Sequence, residues 1–367
     1  MINLQEFNIG NLKIKFIQGG MGVGVSGEGL ASAVANTGGA GIIATVGLGE
    51  VFKKYPGNYI EANQAALRDE IKKARKKSNG VIGVNIMHAL SDYVDLIKTS
   101  VEKNVDLIIL SAGIPRDAYK YLKGKDIKLV PVVSSARVTE MICKSWTREN
   151  HIPDAIIVEG PKAGGHLGYS NEELNDSDFV STGLEKILKE VIEVTKKYGN
   201  IPVIAAGGIY DGKDIAYFTN KKIGAAGVQM ATRFVPTLEC DASDEFKKQY
   251  LKATKEDIII IKSPVGLPGR AIKNEFLEKI QREEKNKFSC DFTCLKKCGR
   301  TEAPYCIANA LIEARNGDFT RGFAFIGANG YKCTPETCLD ENGKFISVNT
   351  LVQRLSDEYD AAKRLES

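Results

Sequence analysis

Val203-Ile-Ala-Ala-Gly-Gly-Ile209 reads as a short apolar run that ends in a pair of glycines, and Gly227-Val-Gln-Met-Ala-Thr-Arg-Phe234 is a second such run ending in a polar turn. Neither run alternates strictly with polar positions, which is the pattern of a strand buried on both faces. Six earlier runs share it: Phe16-Ile17-Gln18, Gly41-Ile-Ile-Ala44, Val81-Ile-Gly-Val-Asn-Ile86, Leu107-Ile-Ile-Leu110, Leu129-Val-Pro-Val-Val133 and Ala155-Ile-Ile-Val158. Helical segments lie between them. Glu61 to Lys77 has helix-forming composition, Ser91 to Lys103 puts Val94, Ile97 and Val101 on one stripe, and Leu184 to Lys197 does the same with Leu188, Val191 and Val194. Eight strands alternating with helices predict an α/β fold, a (β/α)8 TIM barrel. A doubly wound open sheet is the alternative. Gly19-Gly-Met-Gly-Val-Gly24 fits its dinucleotide fingerprint poorly.

The chain of 367 residues is long enough for one large domain plus an extension. We expect the barrel over 1–280 and a cysteine-rich C-terminal extension over 281–367, packed on or near it. Asp244 to Ala253 reads as a helix, and Ile258-Ile-Ile-Ile-Lys262 leads into a loop, Ser263-Pro-Val-Gly-Leu-Pro-Gly-Arg270. A net charge of +4 is small for this length, and the basic run Lys72 to Lys77 has no interleaved aromatics, which reads as a wet helix face rather than a nucleic-acid site. Gly29 to Gly49 carries no charge over 21 residues, but its six glycines and polar positions divide it into a short helix and a buried strand, not a membrane span. The opening Met1-Ile-Asn-Leu-Gln-Glu-Phe7 lacks a basic region followed by an apolar core, so a secretory signal is not expected and a cytoplasmic location is.

In a barrel the chemistry sits on loops at the C-terminal ends of the strands. Gly207-Gly208 allow close approach of an anion, and Ala231-Thr232 add a second amide pair and a hydroxyl one strand–helix unit away. The two pairs could face one phosphate, or the glycines could simply make tight turns. On the same barrel face falls the turn after strand six, Val158-Glu-Gly-Pro-Lys-Ala-Gly-Gly-His166-Leu-Gly168. His166 is one of three histidines, and its glycine neighbours open space around it, so it is the candidate for proton transfer near neutral pH. His88 could face the same site, and His151 reads as a surface residue. Glu159 could bind a sugar-alcohol hydroxyl or pair with a neighbouring base. Eight cysteines are present, and Cys290, Cys294, Cys298 and Cys306 are spaced C-x3-C-x3-C-x7-C. Residues four apart on a helix share a face, so a metal or iron–sulfur site is conceivable beside the plainer reading of buried or redox-sensitive thiols. No metal ligand is assigned.

Gln18-Gly-Gly-Met21, Gly83-Val-Asn-Ile-Met87, Glu159 through Gly168, Ile201 through Ile209 and Val228 through Phe234 occur in order and together resemble the nitronate monooxygenase (2-nitropropane dioxygenase) family and its relatives, the FMN-dependent enoyl-ACP reductases. The resemblance implies an FMN-binding barrel over roughly residues 12 to 280. It implies that Gly207, Gly208, Ala231 and Thr232 hold the FMN phosphate, that Gly20, Met21 and Asn85 lie against the flavin, that Gln229 approaches it, and that His166 is the active-site histidine. Ala231 stands where relatives often have glycine. Pro304 through Leu311 and Gly322 through Asn329 resemble an extension found in bacterial members assigned to nitronate oxidation. The implied reaction is oxidation of alkyl nitronates by O2 to carbonyl compounds and nitrite. NAD(P)H-dependent reduction of enoyl thioesters or quinones is the alternative. A flavin- or phosphate-ligand-binding protein whose tail mediates assembly is a third class. The partners implied are a small-molecule substrate and O2, with no nucleic acid and no membrane. A homodimer is left open.

Overall fold

The computed structural model describes residues 2–122, 124–282, 288, 290, 293–296, 298 and 303–366. Eight parallel strands form one sheet: Ile17–Gln18, Gly41–Ala44, Ile82–Met87, Leu107–Ser111, Lys128–Val133, Ile156–Glu159, Val203–Ala206 and Gly227–Met230. We number them one to eight in that order. Each pairs with its sequence neighbours, the eighth lies beside the first, and a parallel bridge from Ile17 to Ala40 joins the first strand to the entry of the second. This is the expected barrel, and every expected strand lies within a residue or two of its observed limits.

Two apolar layers hold it. Inside the barrel, Ile17, Ile42, Leu107, Ile109, Ile157 and Ile204 pack with no measurable exposure. Between strands and helices, the alternate residues Ile43, Val84, Ile108 and Val158 meet the apolar stripes of the helices. Strands buried on both faces need this continuous apolar composition. A hairpin that the sequence pattern did not reveal, Phe7–Ile9 with Leu12–Ile14, adds Phe7, Ile9 and Ile14 to the inner layer. Phe7 lies where a Cβ on Gly227 would fall, 2.1 Å from its ring, so strand eight must begin with glycine.

Caps set where helices begin. Asn58 and Glu61 form a capping box that starts Tyr59–Lys77, and Asp176 caps Ser177–Lys196 several residues ahead of the apolar stripe. After strand four only a single 3-10 turn, Ala118–Tyr121, occupies the helix position. No described helix is long and apolar enough to cross a membrane.

The chain leaves the barrel after strand eight and returns to it. Ile258–Lys262 and Pro268–Ile272 form an antiparallel hairpin whose second strand pairs with Gly165–His166. The expected loop is therefore only Ser263–Leu267, closed by the Ser263 amide on the Leu267 carbonyl at 3.1 Å, and Pro268–Ile272 is a strand. The final helix, Val348–Glu366, packs on Gly212–Thr219, the helix after strand seven, and touches Glu28–Asn36, the helix after strand one. It thus takes the place of the eighth helix of the ring, although the expected boundary at 280 puts it in the extension. Its Val348, Leu351, Val352 and Leu355 belong to the same apolar layer as the barrel helices.

Candidate functional site

Register brings four of the candidate strand ends to one level. Glu159 pairs with Ala206, Ala206 with Gln229, and Gln229 with Ile17, so strands six, seven, eight and one share a rung at the C-terminal mouth. Above that rung lies a cavity of about 120 Å³. Gly20, Glu159, Gly207, Gly208, Gln229, Ala231 and Thr232, all candidates from the sequence, line it.

The glycine pair has the backbone that glycine alone adopts readily. Gly207 and Gly208 have φ of +92° and +88°, and a Cβ on either would press within 2.9 Å of the turn after strand six. Among the described residues the amides of Gly208 and Thr232 find no acceptor. Gln229 Oε1 is buried and likewise without a donor. Unpaired donors and an unpaired acceptor around a glycine-lined cavity fit a ligand that carries an anionic group and N–H donors.

A second cavity, about 190 Å³, shares Gly20, Gly164, Ala231 and Thr232 with the first. Its further walls are apolar, with Met21, Val23, Val25, Phe246, Phe325 and Ile326. The Tyr250 hydroxyl at this wall is committed to the Phe325 carbonyl at 2.5 Å. Asn85 stands behind Gly20, where a Cβ on Gly20 would be 2.4 Å from Asn85 Cβ, and its Oδ1 accepts from Ser111 Oγ at 3.1 Å.

His166 lies among the lining residues of neither cavity. Its ring meets Phe325 edge-on at 5.0 Å, so it stands behind one wall of the apolar cavity. The hairpin fixes it: His166 is in register with Gly269, and its Nε2 is 2.7 Å from Ser263 Oγ. Burial pushes the imidazole down to about 4, so it is neutral at pH 7. Glu159 shifts the other way. Burial raises its carboxyl to about 7, against the opposing pull of the Arg270 charge. Arg270 is itself lowered to about 10 by burial, and its Nη1 donates to the Pro161 carbonyl at 2.7 Å and to the Ala163 carbonyl. It thereby braces the turn that carries His166.

The other two histidines sit elsewhere. His88 packs on Tyr93 at 4.8 Å, with its carbonyl accepting from Lys296 Nζ at 2.8 Å. His151 is exposed and stacks on Tyr119 at 4.6 Å. Thr293–Lys296 is not helical: Thr293 has φ +47°, and Leu295 bridges to Leu90 on the loop after strand three. Cys306, Cys290 and Cys298 lie near enough to act on Cys294, whose thiol burial pushes up to about 12. Cys306 precedes the helix Ile307–Arg315. Among the described residues no three or more His, Cys, Asp or Glu side chains are placed to hold a metal ion, and no disulfide is formed.

The segment Gly327–Asn329 is the part of the site that sequence reasoning missed. The Gly327 amide donates to Thr232 Oγ1 at 3.0 Å, the Ala328 amide to the Lys162 carbonyl at 2.9 Å, and Asn329 Nδ2 to the Gly208 carbonyl at 2.5 Å. Three successive residues thus tie the turns after strands eight, six and seven together, and Gly327 and Asn329 line the first cavity. The only signal was the glycine- and alanine-rich run Gly322 to Asn329, which has the composition of a close-packed segment but no mark of where it returns.

Comparisons with known proteins agree with this geometry. The model of the nitronate monooxygenase family matches residues 5–355. A Mycobacterium tuberculosis protein named as a 5-hydroxy-7a-methyl-1-oxo-octahydro-indene-4-carboxyl-CoA dehydrogenase is 30% identical over 72% of this chain. This chain spans 64% of the length of that relative. A Staphylococcus aureus protein named probable nitronate monooxygenase is 28% identical, over 75% of this chain and 79% of its own. The solved structure of FabK from Thermotoga maritima superposes with a TM-score of 0.74 at 26% identity, covering 98% of this chain and 96% of its own. The chain belongs to the nitronate monooxygenase family of flavin-dependent oxidoreductases.

Proposed function

We propose that the protein binds FMN at the mouth of the barrel and oxidises alkyl nitronates with O2 to carbonyl compounds and nitrite. The observation that carries the reading is the extent of the family match, which runs through residue 355 and so includes Gly327 and Asn329, the residues that close the cavity over the two turns. Gly207, Gly208, Ala231 and Thr232 would hold the phosphate by backbone amides and a hydroxyl. Glu159 would accept from a ribityl hydroxyl, and Gln229 Oε1 would accept from an N–H of the ring. FMN supplies the electron transfer when bound, while the chain supplies position and electrostatics.

The apolar cavity beside Met21 fits the alkyl part of a small substrate, since it presents no charged side chain. His166 behind Phe325 is held neutral by burial. So weak a base is poorly suited to removing a carbon-bound proton, and fits orienting a substrate that arrives already as the anion. The Ser263 contact fixes the ring for that task.

A second reading, NAD(P)H-dependent reduction of an enoyl thioester or quinone, is favoured by the likeness to FabK and by a relative whose name specifies a CoA thioester. Anaerobic mixing separates the two. Bleaching of the flavin by a nitronate alone, with nitrite released after O2 is admitted, is the expected result. Rapid bleaching by NADH or NADPH and none by nitronate overturns it in favour of the reductase. Failure of the purified protein to take up FMN overturns both.

A further inference from the structure

Arg233 directly follows Thr232, and its side chain points away from the cavity into the C-terminal segment. The residue is 4% exposed. Its guanidinium lies 4.8 Å over the Tyr210 ring, Nη2 donates to the Thr337 carbonyl at 3.1 Å, and Nη1 donates to Cys338 Sγ at 3.3 Å. Arg233 Nε is buried without an acceptor. Among the described residues no carboxylate lies within ion-pair distance of it: nearby Asp211 is 3.6 Å from Lys332 Nζ instead. Two further cations lie close by. Lys332 Nζ sits 5.4 Å from the Tyr210 ring, and Arg354 donates to the same Thr337 carbonyl at 3.0 Å.

A guanidinium taken out of water needs an anion, because isolated buried charge is strongly unfavourable. Among the described residues the one ionisable acceptor hydrogen-bonded to it is Cys338. The Cys333 and Cys338 thiols are buried neighbours beside Tyr210 and Arg233, and the Thr337 hydroxyl is 3.3 Å from Cys338 Sγ. We propose that Cys333 and Cys338 form a peroxide-oxidisable dithiol whose thiolate member, Cys338, is the counter-ion of Arg233. The hydrogen bond from Cys333, with Thr337 and Arg233, holds the Cys338 thiol well below its usual range against the effect of burial, while the Cys333 thiol is pushed up. One thiolate and one thiol in contact are what disulfide formation requires.

The oxidant is hydrogen peroxide. The Cys338 thiolate attacks one peroxide oxygen, the O–O bond breaks, and a sulfenic acid and hydroxide result. Cys333 then attacks the sulfenyl sulfur, the S–S bond forms, the S–O bond breaks and water leaves with the Cys333 proton. The pair lies one turn from the first cavity: Tyr210 and Gly330 line that cavity, and the Cys333 amide bonds to the Gly330 carbonyl at 2.9 Å. The disulfide removes the anion facing Arg233, two residues from Ala231 in the cavity wall.

The test uses the full chain, reduced and then treated with an equimolar amount of hydrogen peroxide at neutral pH. Peptide mapping should find a Cys333–Cys338 link, formed roughly tenfold or more faster than Cys143 is lost. Cys143 is the internal reference, a thiol equally buried whose burial pushes it up to about 11. The Cys333→Ser variant should instead give a sulfenic acid on Cys338 that a dimedone probe captures. In a separate reading, the ultraviolet thiolate absorbance of the wild type should exceed that of Cys338→Ser at neutral pH. Cys338→Asp, which keeps the charge, should restore the melting temperature lost in Cys338→Ser. Equal absorbance of wild type and Cys338→Ser, or oxidation of Cys338 no faster than of Cys143, overturns the proposal.

Discussion

Gly327 donates its amide to the Thr232 hydroxyl at 3.0 Å, across 95 residues of chain, and so fastens the C-terminal segment to the turn after strand eight. The hydroxyl accepts this bond and keeps its own proton for a ligand in the cavity that both residues line. Thr232→Val keeps the shape and removes the acceptor. A buried N–H is then left unpaired, which costs about 1–3 kcal/mol. Chemical denaturation should show that loss, and flavin content after purification should fall with it. A variant as stable and as flavin-loaded as the wild type would show that Thr232 holds neither the segment nor the cofactor.

Two glycines with nearly the same backbone give a sharper test of the cradle. Gly208 and Gly165 have φ of +88° and +81°, but a Cβ on Gly208 falls 2.8 Å from Lys162 Cβ, whereas one on Gly165 meets nothing within 4 Å. Both Ala variants carry the left-handed cost of about 1–2 kcal/mol. Only Gly208→Ala must also displace the turn after strand six. Its stability and FMN affinity should therefore fall further than those of Gly165→Ala. Equal losses in the two would show that crowding at the turn is not what demands Gly208.

The Glu159 carboxyl is raised from 4.5 to about 7 on folding. The folded protein therefore binds this proton more tightly than the unfolded chain. Its contribution to stability is complete below pH 4.5 and is lost as pH rises through 7. The ceiling on that loss is on the order of 3–4 kcal/mol. His166, lowered from 6.5 to about 4, acts in the opposite sense: its contribution is complete above pH 6.5 and is lost as pH falls through 4. Glu159→Gln isolates the first effect. The wild type should lose stability relative to the variant between pH 4.5 and 7, measured by denaturant midpoints across that range. A difference independent of pH would mean that folding does not raise the Glu159 carboxyl.

The eight strands could be read directly because burial on both faces forces unbroken apolar runs, as in Leu107–Leu110 and Val203–Ala206. The hairpin Phe7–Ile14 escaped because strands of three residues leave too few positions for a pattern. Pro268–Ile272 carries turn residues and becomes a strand because Gly165–His166 lies alongside it, a partner roughly a hundred residues earlier. The candidate residues Gly20, Glu159, Gly207, Gly208, Gln229, Ala231 and Thr232 converge because each lies at or just beyond the C-terminal end of a strand of one closed sheet, where sequence order fixes spatial order. Asn329 does not follow a strand, and only the folded chain brings it to Gly208. The glycine-rich turn of His166 was legible, but not its pairing with the hairpin, which sets the ring edge-on to Phe325.

His166 and the phosphate cradle should separate in kinetics. His166→Asn removes the imidazole held by Ser263 but leaves Gly207, Gly208 and Thr232 untouched. Flavin content should stay at the wild-type level while kcat/KM for a nitronate falls by about 10²-fold, the low end for a positioned proton-transfer or orienting group. Because the wild-type ring is already neutral, its kcat/KM should show no inflection near 6.5 attributable to His166. Unchanged kcat/KM in the variant would remove His166 from the reaction and leave it a structural pin of the hairpin.

The helix Val348–Glu366 provides the last test, because its place in the ring depends on one glycine. A Cβ on Gly212 would fall 2.2 Å from the Leu355 carbonyl oxygen and 2.4 Å from the Tyr359 amide. The Gly212 amide donates to Glu358 Oε2 at 2.8 Å, so the two helices touch at backbone distance. Gly212→Ala must push Val348–Glu366 outward and expose Leu351 and Leu355, both now buried. Overpacking at such a contact costs about 1–3 kcal/mol. Deleting 348–367 removes the eighth helix altogether and bares the apolar layer between the helices after strands seven and one. The truncated chain should therefore be insoluble or bind a hydrophobic dye. If the tail were a dispensable appendage, truncation would leave the melting temperature unchanged and Gly212→Ala would be silent. A graded loss, modest for Gly212→Ala and complete for the deletion, is the result expected if this helix closes the barrel.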